Sequence, residues 1–168
     1  AGLNLFELVP ASWIDDRDLA SRAARLWNRL DRPCAHLLNA VLWDGHRFCR
    51  YLSSPVSLAE DPVPVSTNFR YSVSLAEQAL LLAGDLRDID RNVLVVAALL
   101  RDAGKADGFR LLPDGGLDLT ARGRWIGYQQ TVLEWLALAR RDVVIADESY
   151  FRLVHVLMVL ANPAIVPI

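Results

Sequence analysis

Val93-Leu94-Val95-Val96-Ala97-Ala98-Leu99-Leu100-Arg101-Asp102-Ala103-Gly104-Lys105 is the stretch that decides the fold. Its first eight residues are apolar without a break. A run that apolar keeps no face for solvent and is buried on all sides. Strand and helix both fit the composition, but Ala97-Ala98-Leu99-Leu100 favours helix, and Asp90 is placed to cap it. The run ends in an ionisable pair, Arg101-Asp102. A carboxylate at the inner end of a core helix needs a cation or a set of donors, because an unpaired buried charge is expensive. Asp102 is therefore expected to pair with Arg101 or Lys105. Gly104 is read as a left-handed helix stop, which turns Lys105 toward the same pocket, where it could meet a phosphate.

Working outward, helical periodicity recurs on both sides. Asp15 or Asp16 can cap a helix that runs to about Leu30, with Leu19, Ala23, Leu26 and Leu30 on one face. Asp31 to Pro33 break it. A second helix is expected from about Cys34 to Leu52. Ser53 to Asn68 holds Pro55, Pro62 and Pro64 and reads as a long loop, a length often associated with function. A third helix carries Phe69, Val73, Ala76, Leu80 and Ala83. Phe109 to Leu119, with Pro113-Asp114-Gly115-Gly116 inside it, reads as a small hairpin or tight loop. Thr120 caps a fifth helix, about Ala121 to Arg140, whose core face includes Trp125, Val132, Trp135 and Leu136. The last helix covers about Asp147 to Leu160, before an unstructured tail at Asn162-Pro163-Ala164. Ala1 to Trp13 is an apolar arm expected to lie on the core. The expectation is an all-α bundle with a small β-hairpin near 109–119, built as one domain over residues 1–168.

Composition narrows the functional classes. The chain has 18 basic and 20 acidic residues, a net charge of -2, so no strong general attraction to nucleic acid or anionic lipid is expected. The longest apolar run is far short of the about 20 residues needed to span a bilayer, and the N-terminal stretch has no signal-peptide pattern. No membrane partner is expected, and the compartment is read as cytoplasmic. Cys34 and Cys49 are too few for a disulfide framework or a four-thiolate site and are read as reduced, buried thiols. The chain begins with alanine, which is read as an excised piece of a longer protein.

Other candidate residues have bland readings. His155, in Val154-His155-Val156, reads as a satisfied core histidine. Asp44 and His46 are two apart and share no helical face. His36 and His46 lie about 15 Å apart along a helix, too far for one ion. Arg22, Arg25, Arg29 and Arg32 recur at helical spacing as a solvated basic stripe, with phosphate contact as the sharper alternative. Ser72 and Thr131 have no activating base, so nucleophilic catalysis has no support.

Leu99-Leu100-Arg101-Asp102-Ala103-Gly104-Lys105 resembles the His-Asp signature of the HD phosphohydrolase superfamily, which reads LLHDAGK. Asn68-Phe69-Arg70-Tyr71-Ser72-Val73 resembles the upstream family segment, where a His stands just before Ser. Arg122-Gly123-Arg124-Trp125-Ile126-Gly127-Tyr128 resembles the downstream Gly-His segment. Leu8-Val9-Pro10-Ala11 and Trp43-Asp44-Gly45-His46-Arg47 are similar to one branch, the HD domain of TraI-type relaxases and related proteins of conjugative or integrating elements.

The resemblance implies an HD-type helical bundle with one or two divalent metals held by histidines and aspartates, which would lower the pKa of bound water and polarise a phosphoryl group. The three histidine positions fall on Tyr71, Arg101 and Tyr128, with Asp102 unchanged. No Asp or Glu follows Glu148 to serve as the final aspartate. Neutral tyrosine is a poor ligand for such metals, and a guanidinium has no lone pair to offer. The expectation is therefore a degenerate HD-type domain, catalytically inactive and without metal or other cofactor. It would serve as a binding or scaffolding module whose partner is a protein or the remainder of its parent chain. Arg101, Lys105 and Arg124 are candidates to hold an anion in the former phosphate site. Two alternatives stand beside this. One is an active metal-dependent phosphohydrolase or nuclease, with divalent metal on ligands drawn from Asp102, Asp107, His155 or the proline-rich loop. The other is a nucleic-acid-binding domain using the arginine stripe.

Overall fold

The structure, a computed structural model, describes residues 2–14, 16–44, 46–56, 66–84 and 86–161. It is mostly helical with one small antiparallel hairpin, as the periodicity and the turn residues predict. Side-chain caps start four of the α-helices. Asp16 accepts from the Leu19 N–H at the head of α1 (Arg17–Trp27). Asp31 does the same for Cys34 at α2 (Arg32–Leu42), which also carries Pro33 in its first turn. After α3 (Arg47–Ser53) comes α4 (Thr67–Ala83), which begins two residues before Phe69. Asp90 accepts from Asn92 and Val93 at α5 (Arg91–Leu100). The short α6 (Lys105–Gly108) leads into β1 (Phe109–Leu111), paired in register with β2 (Leu117–Leu119). Thr120 caps α7 (Ala121–Trp125), and α8 (Tyr128–Ala139) and α9 (Asp147–Ala161) are the last elements among the described residues.

The apolar run is the buried helix its composition demands: from Val95 to Leu100 no residue is more than 5% exposed. It packs against α4, α2 and α9. The N-terminal arm lies on the core as expected, through a 3-10 turn over Leu5–Leu8 that buries Leu5 and Phe6. Phe6 stacks on Phe69 at 5.8 Å and meets Phe48 edge-on, while Tyr51 meets Phe69 edge-on at 5.5 Å. These rings fasten the arm, α3 and α4 to one another, a geometry aromatic pairs prefer.

Several expectations are corrected. The helix expected over Cys34–Leu52 is two helices. The chain breaks after Leu42, and Arg47 re-enters with its guanidinium paired to Asp44 and laid over the Trp135 ring. The helix expected over Ala121–Arg140 is also two, because Gly127 sits at φ 82, outside the helical region. That break resets the phase, so Trp125, expected in the core, is 84% exposed while Trp135 is buried. His155 is exposed on α9 rather than a core histidine. Cys34 is buried but Cys49 only half-buried, and both are free thiols. Asp15, Gly45, residues 57–65 of the long loop and the tail from Asn162 lie outside the described residues. The ends of that loop are joined: Ser66 and Asn68 donate backbone N–H bonds to the Ser53 and Ser54 carbonyls. Among the described residues no helix is long and apolar enough to cross a membrane.

Gly104 is not a left-handed stop. Its backbone is right-handed helical at φ -63, and the chain continues through tight turns into α6. Glycine is needed for room instead: a Cβ there would lie 2.0 Å from the Tyr128 carbonyl oxygen. Gly123 repeats the device, where a Cβ would lie 2.1 Å from the Gly108 carbonyl oxygen. Backbone thus packs directly on backbone where α6 meets α7 and α8.

Gly123→Ala is expected to destabilise the fold by about 2 kcal/mol or more, since neither backbone can yield cheaply; urea denaturation would measure it. Burial, then the charge of Asp31, pushes the Cys34 thiol from an ordinary 9.0 up to about 12. The folded state then holds that proton more tightly than the unfolded chain. Stability present below pH 9 should decline as pH rises toward 12, and Cys34→Ala should remove part of that decline. In the native protein a thiol reagent should label Cys49 and spare Cys34.

Candidate functional site

The buried helix α5 delivers Asp102 into the interior at its C-terminal exit. Asp102 is 6% exposed and Lys105, one helical turn on, is 7% exposed. Their charged atoms lie 3.4 Å apart, an ion pair rather than a tight hydrogen bond. Lys105 Nζ also donates to the Val56 carbonyl at 2.8 Å and sits 5.0 Å from the centre of the Tyr128 ring. The ammonium is thereby held by a carboxylate, a carbonyl and an aromatic face together.

Of the two cations that could pair with Asp102, the structure selects Lys105. Arg101 turns outward and donates to the Tyr71 hydroxyl at 3.2 Å, with its guanidinium 5.9 Å from that ring's centre. The four residues that the resemblance would align with a metal site therefore fall into two separate pairs, Arg101 with Tyr71 directly and Asp102 with Tyr128 through Lys105. Burial holds the Tyr128 phenol above its usual pKa; the charge of Asp102 adds to this and Arg101 opposes it.

A set of neutral groups supports this arrangement, and sequence reasoning missed it. Asn68, fully buried at the head of α4, donates its side-chain amide to the Asp102 carbonyl and to Ser54 Oγ. Ser72 donates to the Asn68 carbonyl, and Tyr51 donates to the Leu99 carbonyl at 2.8 Å. Burial raises the Tyr51 phenol well above its ordinary pKa, so it stays a donor. A buried asparagine, serine and tyrosine have a sequence signal only in hindsight, because each sits in a stretch that reads as loop or core.

The remaining candidates are dispersed. Arg124 is exposed on α7 and lies 3.8 Å from Asp118 of the hairpin. Arg101, Lys105 and Arg124 thus each face a different partner, and the cleft that Lys105 lines includes neither of the other two. Asp107 pairs with Arg50. Asp44 is taken by Arg47, and His46 is exposed. Arg22 leaves the basic stripe to bind Glu77 and Ser74, while Arg25, Arg29 and Arg32 stay exposed. The Ser72 and Thr131 hydroxyls both donate to backbone carbonyls.

The donor set does not fit the divalent metal that the resemblance implies. Of Tyr71, Arg101, Asp102 and Tyr128, only Asp102 offers a metal-binding anion, and its charge is met by Lys105. Among the described residues no group of three or more His, Cys, Asp or Glu side chains is placed to hold a metal ion. Comparison with protein-family models, curated proteins and solved structures finds no match to this chain.

Breaking a buried ion pair strands the remaining charge, which typically costs about 3 kcal/mol or more. Lys105→Met should lose about that much stability, and adding Asp102→Asn should recover part of it. A denaturant-unfolding cycle of the two single variants and the double variant checks this; additive losses would mean that the two charges do not interact.

Proposed function

We propose that the chain is a degenerate HD-type domain that works without catalysis, as a binding or scaffolding module in a larger protein related to conjugative or integrating elements. The observation that carries this reading is that Arg101, at the position of a metal-ligating histidine, turns outward to Tyr71 and leaves Asp102 with the Lys105 ammonium 3.4 Å away. The resemblance makes Asp102 the surviving ligand of a metal pair. Here a cation of the chain's own supplies the positive charge that such a carboxylate requires. A divalent ion would have to displace that ammonium and recruit further donors. Tyr71, Arg101 and Tyr128 offer none suited to it at neutral pH.

A working phosphohydrolase needs ligands from elsewhere, and the candidates for that role among the described residues do not gather. Asp107 is paired with Arg50 and His155 is exposed on α9. The arginine stripe gives a nucleic-acid reading little support, since Arg22 is committed to Glu77. The partner on this reading is another protein or the rest of the parent chain.

Elemental analysis after soaking in manganese, iron, nickel and zinc should find well under about one ion per chain, unchanged in Asp102→Ala. Near-stoichiometric metal that disappears in Asp102→Ala, together with phosphodiester turnover, would overturn the proposal.

A further inference from the structure

Behind Lys105 a cleft of about 730 Å³ opens between α3, α6, the head of α7 and the hairpin. Its size falls within the range of about 300–1,000 Å³ typical of small-molecule sites. Its apolar walls come from Pro55, Ala106, Phe109, Leu111 and Leu117. Leu111 is 71% exposed, an uncovered apolar surface on a strand of three residues.

The charge of the lining is one-sided. Arg50, Lys105, Arg110 and Arg122 line it, against a single carboxylate, Asp107. This occurs in a chain with more acidic than basic residues overall. Lys105 is already held by Asp102 and the Val56 carbonyl. Recognition therefore falls to Arg50 and Arg122, because Arg110 alternates with Phe109 and Leu111 along β1 and turns to Asp118 on the other face of the hairpin. Arg50 is paired with Asp107 inside the cleft, Arg110 with Asp118 and Arg122 with Glu134. Their side chains are 47%, 60% and 38% exposed. Ion pairs that open to water contribute little, so an incoming anion can share or replace these partners at small cost. A guanidinium has five N–H donors in a fork that fits a carboxylate or a phosphate, and one carboxylate does not exhaust them.

We infer that this cleft binds a small amphipathic anion, with its apolar body against Phe109, Leu111 and Leu117 and its carboxylate or phosphate head on Arg50 and Arg122. Apolar walls alone would accept a neutral molecule, and arginines alone an inorganic ion; their combination calls for both parts in one ligand. The inference rests on the reading of the chain as a binding module. Metal analysis tests that reading at Asp102, whereas ligand titration reads the cleft, so the two fail separately.

The test titrates the whole chain with octanoate, octyl phosphate and octanol, following affinity by calorimetry and backbone amide signals by NMR. One or both anions should bind and the tighter should identify the head group; octanol should bind at least about tenfold more weakly, because it forgoes the charge-assisted bonds. Shifts should centre on Phe109, Leu111 and Leu117. The double variant Arg50→Gln/Arg122→Gln, at positions that water reaches outside the core, should weaken anion binding about tenfold and leave octanol unchanged. Leu111→Ser should weaken all binding. No binding by any probe, octanol binding as tightly as the anions, shifts centred elsewhere, or anion affinity unaltered in the double variant would each overturn the inference.

Discussion

Helix α5 has almost no solvent face, yet the chain leaves it through two adjacent charges. Arg101 can reach outward to Tyr71, but Asp102 cannot leave the interior, and its carboxylate has to be satisfied where it stands. The surrounding structure follows from that requirement. Lys105 must lie one turn on and fold back, so the chain cannot extend after Leu100. It coils through Gly104 into α6, and the turn that brings the ammonium to Asp102 also brings α8 against the backbone. Tyr128 then closes over the ammonium. A buried charge is tolerated only when it is paired and its remaining hydrogen bonds are met; here the loop after α3 contributes the Val56 carbonyl that accepts from Lys105, while Asn68 of α4 holds the Asp102 backbone carbonyl.

Glycine makes this packing possible in a way distinct from its usual role. At Gly104 and Gly123 the backbone is close to another backbone, and a methyl group would occupy the space of a carbonyl oxygen. The two contacts fix α6 between α7 and α8 at the shortest available distance. They therefore set where Lys105, Ala106 and Asp107 stand, and with them one wall of the cleft. The opposite wall is set by aromatic packing: Phe6, Phe48, Tyr51 and Phe69 hold α3 against α4 and the N-terminal arm, which places Arg50 in the lining. Two kinds of contact, one defined by missing side chains and one by large rings, thus frame a single cavity.

Charge is distributed unevenly over this frame. Inside, a lysine and an aspartate neutralise each other away from water; outside, arginines meet carboxylates at positions water reaches. The inner pair is structural because removing either member strands the other. The outer pairs are exchangeable because solvent screens them. This division separates the part of the molecule that must not change from the part that is free to take a ligand.

The sequence by itself determined the elements whose causes are local. Asp16, Asp31, Asp90 and Thr120 cap helices because a short oxygen-bearing side chain satisfies backbone N–H groups a few residues away. The uninterrupted apolar run had to be buried, and Pro113-Asp114-Gly115-Gly116 had to turn between two short strands. Tertiary structure decided what depends on distant partners. Arg101 and Lys105 are both within reach of Asp102 along the chain, and only the placement of Tyr71, Val56 and Tyr128 chose between them. Trp125 follows the apolar spacing of Trp135, but Gly127 interrupts the helix and rotates one away from the other. The role of Gly104 is unreadable locally, because the atom that forbids a side chain there belongs to Tyr128, more than twenty residues on. The cleft cations Arg50, Lys105, Arg110 and Arg122 lie in four different elements with no spacing in common. Periodicity and capping act within a few residues, whereas burial of charge, close backbone approach and the shape of a cavity are settled by residues that meet only after the chain has folded.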